Sequence, residues 1–266
     1  MRNVLITGCS TGIGRATALR LARGEWTVFA TARQPATLDE LEAAGCRTLA
    51  LDVTSEDSMQ AALAQVDGGV DVLVNNAGYS QSGALETLSM DSVRRQFETN
   101  VFGLLRLTQL VLPGMRAKGE GTIVNVSSMG GRLTFPGGGA YHATKYAVEA
   151  LSDALRMEVK RFGIDVVCVE PGLIRTEFGA TAAGGVEESG PYADFNASVA
   201  KSTRDVYTGP LSRLGGDADS VAEAIEKALA KPRPRVPVTA SARFFMGLHA
   251  VLPDRVWDKV VGASFK

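Results

Sequence analysis

From its first residue to about residue 170 the chain alternates short β-branched or apolar runs with longer segments of helical periodicity. This rhythm constrains the fold more than any other feature. Parallel strands need a crossover long enough to hold a helix, and strands sheltered on both faces read as continuously apolar. The strand candidates are Asn3–Thr7, Thr27–Thr31, Arg47–Leu51, Val72–Val74, Thr122–Val126 and Asp165–Val169, with Arg235–Val238 as a further one. Helices are expected over 12–23, 36–44, 55–66, 89–117 and 139–162. Together these predict an α/β fold, a single doubly wound parallel sheet of about seven strands with helices on both faces. The rhythm breaks over about 177–215, where Ala, Gly and Ser are dense and an amphipathic piece lies near 192–207. This reads as an insertion over the sheet, placed to act as a lid. No polar linker divides the chain, so residues 1–266 are expected to form one domain ending in a basic, aromatic extension over about 240–266. That extension is expected to pack on the domain or on another subunit, with a membrane surface as the alternative.

Composition removes several classes of partner. The 28 basic and 29 acidic residues are mixed along the chain and leave a net charge of −1. No basic face is available to grip a phosphate backbone, so nucleic acid is not an expected partner. The three cysteines, Cys9, Cys46 and Cys168, are far apart and neither of the two histidines is close to one. That spacing argues against a disulfide framework and against a metal site. No apolar segment reaches the roughly 20 residues that span a bilayer. The opening MRNVLITG runs straight into a strand without a charged leader, so the expected location is the cytoplasm.

The first strand runs into Thr7-Gly8-Cys9-Ser10-Thr11-Gly12-Ile13-Gly14 and then a helix. In that context Gly8 permits a tight turn, Gly12 lets backbone approach a pyrophosphate, and Gly14 lets helix and strand pack closely. Ser10, Thr11 and Ile13 complete the turn, and the helix N-terminus offers N–H groups and a positive dipole end to an anion. A plain structural turn is the other reading. The second strand ends at Ala30-Thr31-Ala32-Arg33. Ala32 cannot hold an adenosine 2′-hydroxyl, whereas Arg33 can pair with a 2′-phosphate and stack on adenine. NADP(H) is therefore the preferred cofactor and NAD(H) remains possible; the plainer reading of Arg33 is a solvated loop charge. Asp52-Val53 closes the third strand and suits an adenine edge, and Asn75-Asn76-Ala77-Gly78 closes the fourth, where small residues leave room for the cofactor. All lie on the carboxyl edge, where open α/β sheets bind ligands.

Tyr141 and Lys145 share one face of a strongly helical run. A free tyrosine titrates near pH 10, and a neighbouring ammonium favours its phenolate, which suits acid/base work near neutrality. The fifth strand ends at Asn125-Val126-Ser127-Ser128, where the Ser128 hydroxyl can hold a substrate oxygen. Ser127 is the alternative, and both serines could simply be turn residues. Asn100 lies beside the apolar stripe Val93, Phe97, Val101 and Leu104. It is either a satisfied core amide or the holder of a water linked to the lysine.

The motifs T-G-x-x-x-G-x-G, N-N-A-G, Asn100, Ser128, Y-x-x-x-K and Pro171-Gly172 occur in the order and spacing of the short-chain dehydrogenase/reductase family, which the chain resembles over about residues 1–176. The resemblance implies a Rossmann-type sheet and a catalytic tetrad of Asn100, Ser128, Tyr141 and Lys145. Tyr141 would be the general acid/base, and Lys145 would also bind the nicotinamide ribose. Pro171-Gly172-Leu173-Ile174-Arg175-Thr176 matches the family's P-G-x-[IV]-x-T. That match implies that the Ile174 backbone and the Thr176 side chain anchor the carboxamide and phosphate region. A homodimer or homotetramer through helices 89–117 and 139–162 is likewise implied. The wording GCSTGIG, ATAR and YHATKYAVEAL resembles the branch with 17β-hydroxysteroid and retinol dehydrogenases and many bacterial ketone reductases. Thr144 departs from the family's more frequent Ser, and Glu25-Trp26 from a glycine one position later in many members.

The expected activity is that of an NADP(H)-dependent alcohol dehydrogenase or carbonyl reductase acting on a small hydrophobic carbonyl or alcohol. Tyr79, Met129, Leu133, Phe135, Leu173 and Phe178 are candidate pocket walls, closed over by residues from 186–207, or equally the edge of a packed core. A dinucleotide-binding regulatory or scaffold protein on the same fold is the competing reading, although it has no need to keep Tyr141 and Lys145 together.

Overall fold

Along the first strand Val4 and Ile6 point to one side and Leu5 to the other, and all three are fully buried. Both faces of the sheet must therefore be covered. The computed structural model describes residues 1–175, 189–208 and 213–262. Thr176, Phe178 and much of the expected insertion lie outside the described residues. In chain order the elements are β1 (Arg2–Ile6), α1 (Gly12–Leu21), β2 (Trp26–Ala32), α2 (Asp39–Ala43), β3 (Arg47–Ala50), α3 (Glu56–Leu63) and β4 (Val72–Asn75). There follow α4 (Met90–Phe97), α5 (Leu104–Lys118), β5 (Gly121–Val126), α6 (Gly139–Val159), β6 (Ile164–Glu170) and the short β7 (Ile174–Arg175). The remainder is α7 (Ala193–Thr208), β8 (Gly216–Asp217), α8 (Ala218–Ala230), β9 (Arg235–Pro237), α9 (Ala240–Val251) and α10 (Asp254–Gly262).

The main sheet has seven strands in the order β3-β2-β1-β4-β5-β6-β9, all parallel. On one face α1 and α8 cover Val4, Ile6, Val28, Val74, Val124 and Val167. On the other, α3 and α5 cover Leu5, Phe29, Leu73, Ile123 and Val166. This is a Rossmann-like doubly wound sheet. The winding reverses between β1 and β4, which opens a crevice at their carboxyl ends.

The segment expected as one helix over 89–117 follows a continuous helical path, but a wider π turn at Glu98–Gly103 separates α4 from α5. That turn accommodates the loop after β3: a Cβ on Gly103 would lie 2.4 Å from the Val53 carbonyl oxygen. Only glycine allows the two backbones to meet there. The helices α8, α9 and α10 were not among the sequence expectations. The last two pack on the chain's own core, where Trp257 and Val261 bury Leu133 and Phe135 meets Phe245 edge-on at 6.3 Å. Among the described residues no helix is long and apolar enough to cross a membrane.

A polar ladder crosses the apolar interior and ties the central strands to two helices. Asn75 Nδ2 on β4 donates to Thr108 Oγ1 on α5 at 3.0 Å and to Asn125 Oδ1 on β5 at 2.9 Å. Asn125 Nδ2 donates to Ser152 Oγ on α6 at 2.9 Å. Groups buried this deeply cost stability when a partner is withdrawn. Asn125→Ala is expected to lower the free energy of unfolding by about 2 kcal/mol, combining a lost partner with a small cavity. Urea denaturation checks this, and an unchanged midpoint would show that the ladder contributes nothing.

Candidate active site

The site is assembled from the carboxyl ends of the strands, and Thr7 joins those of β1 and β4. Its Oγ1 accepts from the backbone N–H groups of Asn76 and Ala77, each at 2.9 Å. Asn76 Nδ2 donates back to the carbonyls of Thr7 at 2.9 Å and Gly8 at 3.0 Å. Gly8 sits at φ +71°, the left-handed region that favours glycine. A Cβ on Gly14 would lie 2.3 Å from the Gly8 carbonyl oxygen. Gly14 is thus the packing glycine that lets α1 start directly behind the turn. At the start of α1, Thr11 is extended and its side chain caps no N–H group, whereas Ser55 and Ser89 cap α3 and α4. The first N–H groups of α1 are therefore left for an anion.

A cavity of about 1160 Å³ follows this edge. One end is lined by Gly8, Ser10, Thr11, Gly12 and Ile13, then by Arg33, Asp52, Val53, Asn76, Ala77 and Gly78. The other end is lined by Ser128, Tyr141, Lys145, Pro171, Gly172 and Ile174. Of the sequence-derived site residues that are described, only Gly14 and Asn100 stand behind the wall rather than in it. Arg33 is exposed and also borders a recess of about 440 Å³ with Ser10, Ala32, Gln34 and Thr37. Asp52 Oδ1 accepts from the backbone N–H of Thr54 at 2.9 Å and from its hydroxyl at 2.7 Å, which fixes the carboxylate at the cavity edge.

At the other end Lys145 is buried and its Nζ donates to the Val126 carbonyl at 2.8 Å. The ammonium lies 5.8 Å from the centroid of the Tyr141 ring. Burial pushes it down to about 8, opposed by neighbouring Cys168 and Glu149. Ser128 opens the turn Met129–Gly131, its Oγ accepting from Gly130 N at 3.0 Å. A hydroxyl has one hydrogen and two acceptor positions, so Ser128 keeps its hydrogen to donate. Ser127 Oγ also borders the cavity but is itself buried without a hydrogen-bond partner.

The Asn100 amide is fully engaged inside the wall. Oδ1 accepts from Tyr79 N at 3.1 Å, and Nδ2 donates to Tyr79 O at 2.9 Å and to Thr144 Oγ1 at 3.1 Å. The side chain thus joins the Tyr79 backbone to the residue before Lys145.

Tyr79, Met129, Phe135 and Leu173 line the second end of the cavity as expected, whereas Leu133 is buried under α10. Sequence reasoning missed His142, Phe245, Leu248 and Trp257, which line the same end, whereas Val199 belongs to the segment 186–207 expected to close over it. His142 Nδ1 lies 3.1 Å from the Gly130 carbonyl, and burial lowers its affinity for a second proton, opposed by that hydrogen bond. The i, i+3 spacing of Phe245 with Leu248 was a readable helical signal. What it could not show was the surface on which that face would land. Among the described residues no group of three His, Cys, Asp or Glu side chains could hold a metal ion.

Comparison with known proteins agrees with this geometry. The chain is 38% identical over 267 residues to the oxidoreductase YbbO of Escherichia coli (strain K12), covering 98% of this chain and 94% of that protein. It is 33% identical over 281 residues to the NADPH-dependent 3-dehydrocapnine reductase of Ornithobacterium rhinotracheale, covering 100% and 98%. The crystal structure of a short-chain dehydrogenase from Streptomyces avermitilis superposes with a TM-score of 0.82 at 39% identity, covering 97% of this chain and 94% of that one. The family model for short chain dehydrogenase matches residues 2–185. With strand order, crevice and cavity in agreement, the chain belongs to the short-chain dehydrogenase family.

Proposed function

We propose that this oxidoreductase is NADP(H)-dependent and reduces the ketone or aldehyde of a hydrophobic molecule to the alcohol, or catalyses the reverse. The observation that carries the reading is the buried Lys145 ammonium beside Tyr141, at the same cavity end as Ser128. The chain's own residues fit the cofactor. Uncapped N–H groups at the start of α1 suit a pyrophosphate, and exposed Arg33 beside its recess suits a 2′-phosphate. Asp52 and Val53 suit the adenine, and Lys145 with Pro171, Gly172, Ile174 and Thr176 the nicotinamide half. The NADPH dependence of the Ornithobacterium reductase supports the choice.

When bound, the reduced nicotinamide supplies hydride to the carbonyl carbon. Ser128 donates its hydroxyl hydrogen to the carbonyl oxygen and holds it against Tyr141. The Tyr141 hydroxyl gives its proton to that oxygen as the alcohol forms, and in the reverse direction its phenolate takes the proton back. Lys145 favours the phenolate through its charge, while the Val126 carbonyl keeps the ammonium in place. Asn100 acts one step back, through Tyr79 and Thr144. Apolar walls from Met129, Leu173, Phe245 and Trp257 exclude water and favour a hydrophobic substrate.

A second copy of the chain is proposed to cover the helical face where Phe102, Tyr146 and Met157 are exposed. Sedimentation equilibrium is expected to show a dimer or tetramer, and a monomer would remove this assignment. Tyr141→Phe is expected to cut NADPH-dependent turnover of hydrophobic ketones by about 100-fold or more while leaving NADPH binding intact. Turnover equal to wild type would refute the acid/base assignment. Arg33→Ala is expected to weaken NADPH binding by about 10-fold or more, through loss of a charge-assisted contact, with NADH binding little changed. Fluorescence titration with both dinucleotides checks this, and equal losses would rule out the 2′-phosphate contact.

A further inference from the structure

Behind Lys145 lie two buried carboxylates, gripped by guanidinium groups that reach in from the surface, which the proposed mechanism does not use. Glu149 follows Lys145 by one turn of α6, on the same face. Its Oε2 accepts from Arg235 Nε on β9 at 3.1 Å, and the Cys168 thiol of β6 faces the same carboxyl group. The same Arg235 nitrogen is 3.5 Å from Glu170 Oε1 at the end of β6. Arg132 Nη1 lies 3.4 Å from that oxygen. Arg235 also pairs with Asp153, whose other oxygen accepts from Arg156 at 2.7 Å.

Glu149, Arg132 and Glu170 each sit on a segment that carries a site group, and Arg235 reaches the two carboxylates from β9. Glu149 rides on α6 with Tyr141 and Lys145. Arg132 follows the turn that Ser128 opens, and Glu170 immediately precedes Pro171-Gly172. Gly131 lies between these parts: a Cβ there would be 2.8 Å from Ser127 Oγ and 2.9 Å from both Glu149 Cγ and the Lys145 carbonyl oxygen. The arrangement is costly. Burial, and then the Glu149 charge, push the Glu170 carboxyl up to about 7 against the pull of Arg132 and Arg235. Apolar residues of similar volume commonly stabilise a fold as well as or better than such a cluster, so packing alone does not account for it.

We propose that Glu149 is a positioning residue for the Tyr141–Lys145 pair. Held by Arg235 and braced by Glu170 and Arg132, its carboxylate keeps the Lys145 ammonium charged and clasps α6 to the Ser128 and Pro171-Gly172 segments. The proposal rests on the acid/base reading of Tyr141. The groups facing Lys145 are the Val126 carbonyl on β5, Cys168 on β6, and Tyr141 and Glu149 on α6. Burial pushes the Cys168 thiol well up, and Glu149 is the carboxyl group among these neighbours. Glu149 in turn faces Cys168 and Glu170 from β6 and Arg235 from β9. Asp153, with Arg156 behind it, shares Arg235 from the next turn of α6.

The test is an ultraviolet titration of the Tyr141 phenolate in the cofactor-free protein, read as the difference from a Tyr141→Phe background, with the pH profile of alcohol oxidation beside it. With Glu149→Gln, Lys145 loses its charge at lower pH. The phenolate midpoint is then expected to rise by about one pH unit, with the rising limb of oxidation moving the same way. Arg235→Lys, which keeps the charge, is expected to leave both near wild type. If Glu149→Gln does not fold, Glu149→Gln with Arg235→Met removes both charges together and is expected to show the same upward shift. An unchanged midpoint in whichever of these variants folds overturns the proposal, even if its thermal stability falls. Wild-type turnover by Tyr141→Phe would overturn the acid/base reading instead, so the two failures are distinguishable.

Discussion

The joining of β1 to β4 around the Thr7 hydroxyl is the interaction from which the site is hung. One oxygen accepts two N–H groups from the end of β4 while Asn76 returns two hydrogen bonds to the turn after β1. These are the neighbouring strands between which the winding of the sheet reverses, so nothing else in the topology crosses their carboxyl ends. With those ends bonded to each other, the glycine turn, the start of α1 and the Asn76-Ala77-Gly78 segment keep one relative geometry. The Asn75–Asn125–Ser152 ladder then carries that geometry to β5 and α6, where Tyr141 and Lys145 stand.

The cavity places two cations in opposite physical circumstances. Arg33 is exposed and suits recognition of an anion that arrives from solvent. Lys145 is buried, and its charge is supported by one main-chain carbonyl and the carboxylate a turn away. A small change in its surroundings alters its protonation. Such a group is suited to tuning a neighbouring phenol.

Much of the sheet could be read from the chain because central parallel strands are apolar on both faces. Asn3–Thr7 was expected and Arg2–Ile6 is found; Asp165–Val169 was expected and Ile164–Glu170 is found. The glycine turn, Ser128, Tyr141 and Lys145 were legible because each sits at a strand end or at a fixed offset within a helix. Asn100 was placed correctly on its helix, but its partners Tyr79 and Thr144 are distant in sequence and could not be inferred. The π turn around it answers the close approach of the Val53 backbone, which no local pattern encodes. Likewise, Phe245 and Trp257 were visible as an aromatic tail, while their place over Phe135 was not.

By itself the sequence determined the doubly wound sheet, the edge along which the cavity lies and the placing of the Tyr141–Lys145 pair on one helical face. These depend on periodicity, on glycine and on spacing within one element, all local properties of a chain. Only the tertiary structure decided what surrounds that pair: the carbonyl that holds Lys145, the engagement of Asn100, the carboxylates of Glu149 and Glu170, and the C-terminal helices that close the apolar end. Each of these is a contact between segments far apart in sequence. Burial and electrostatics depend on the distances between such segments, and those distances exist only once the sheet is formed.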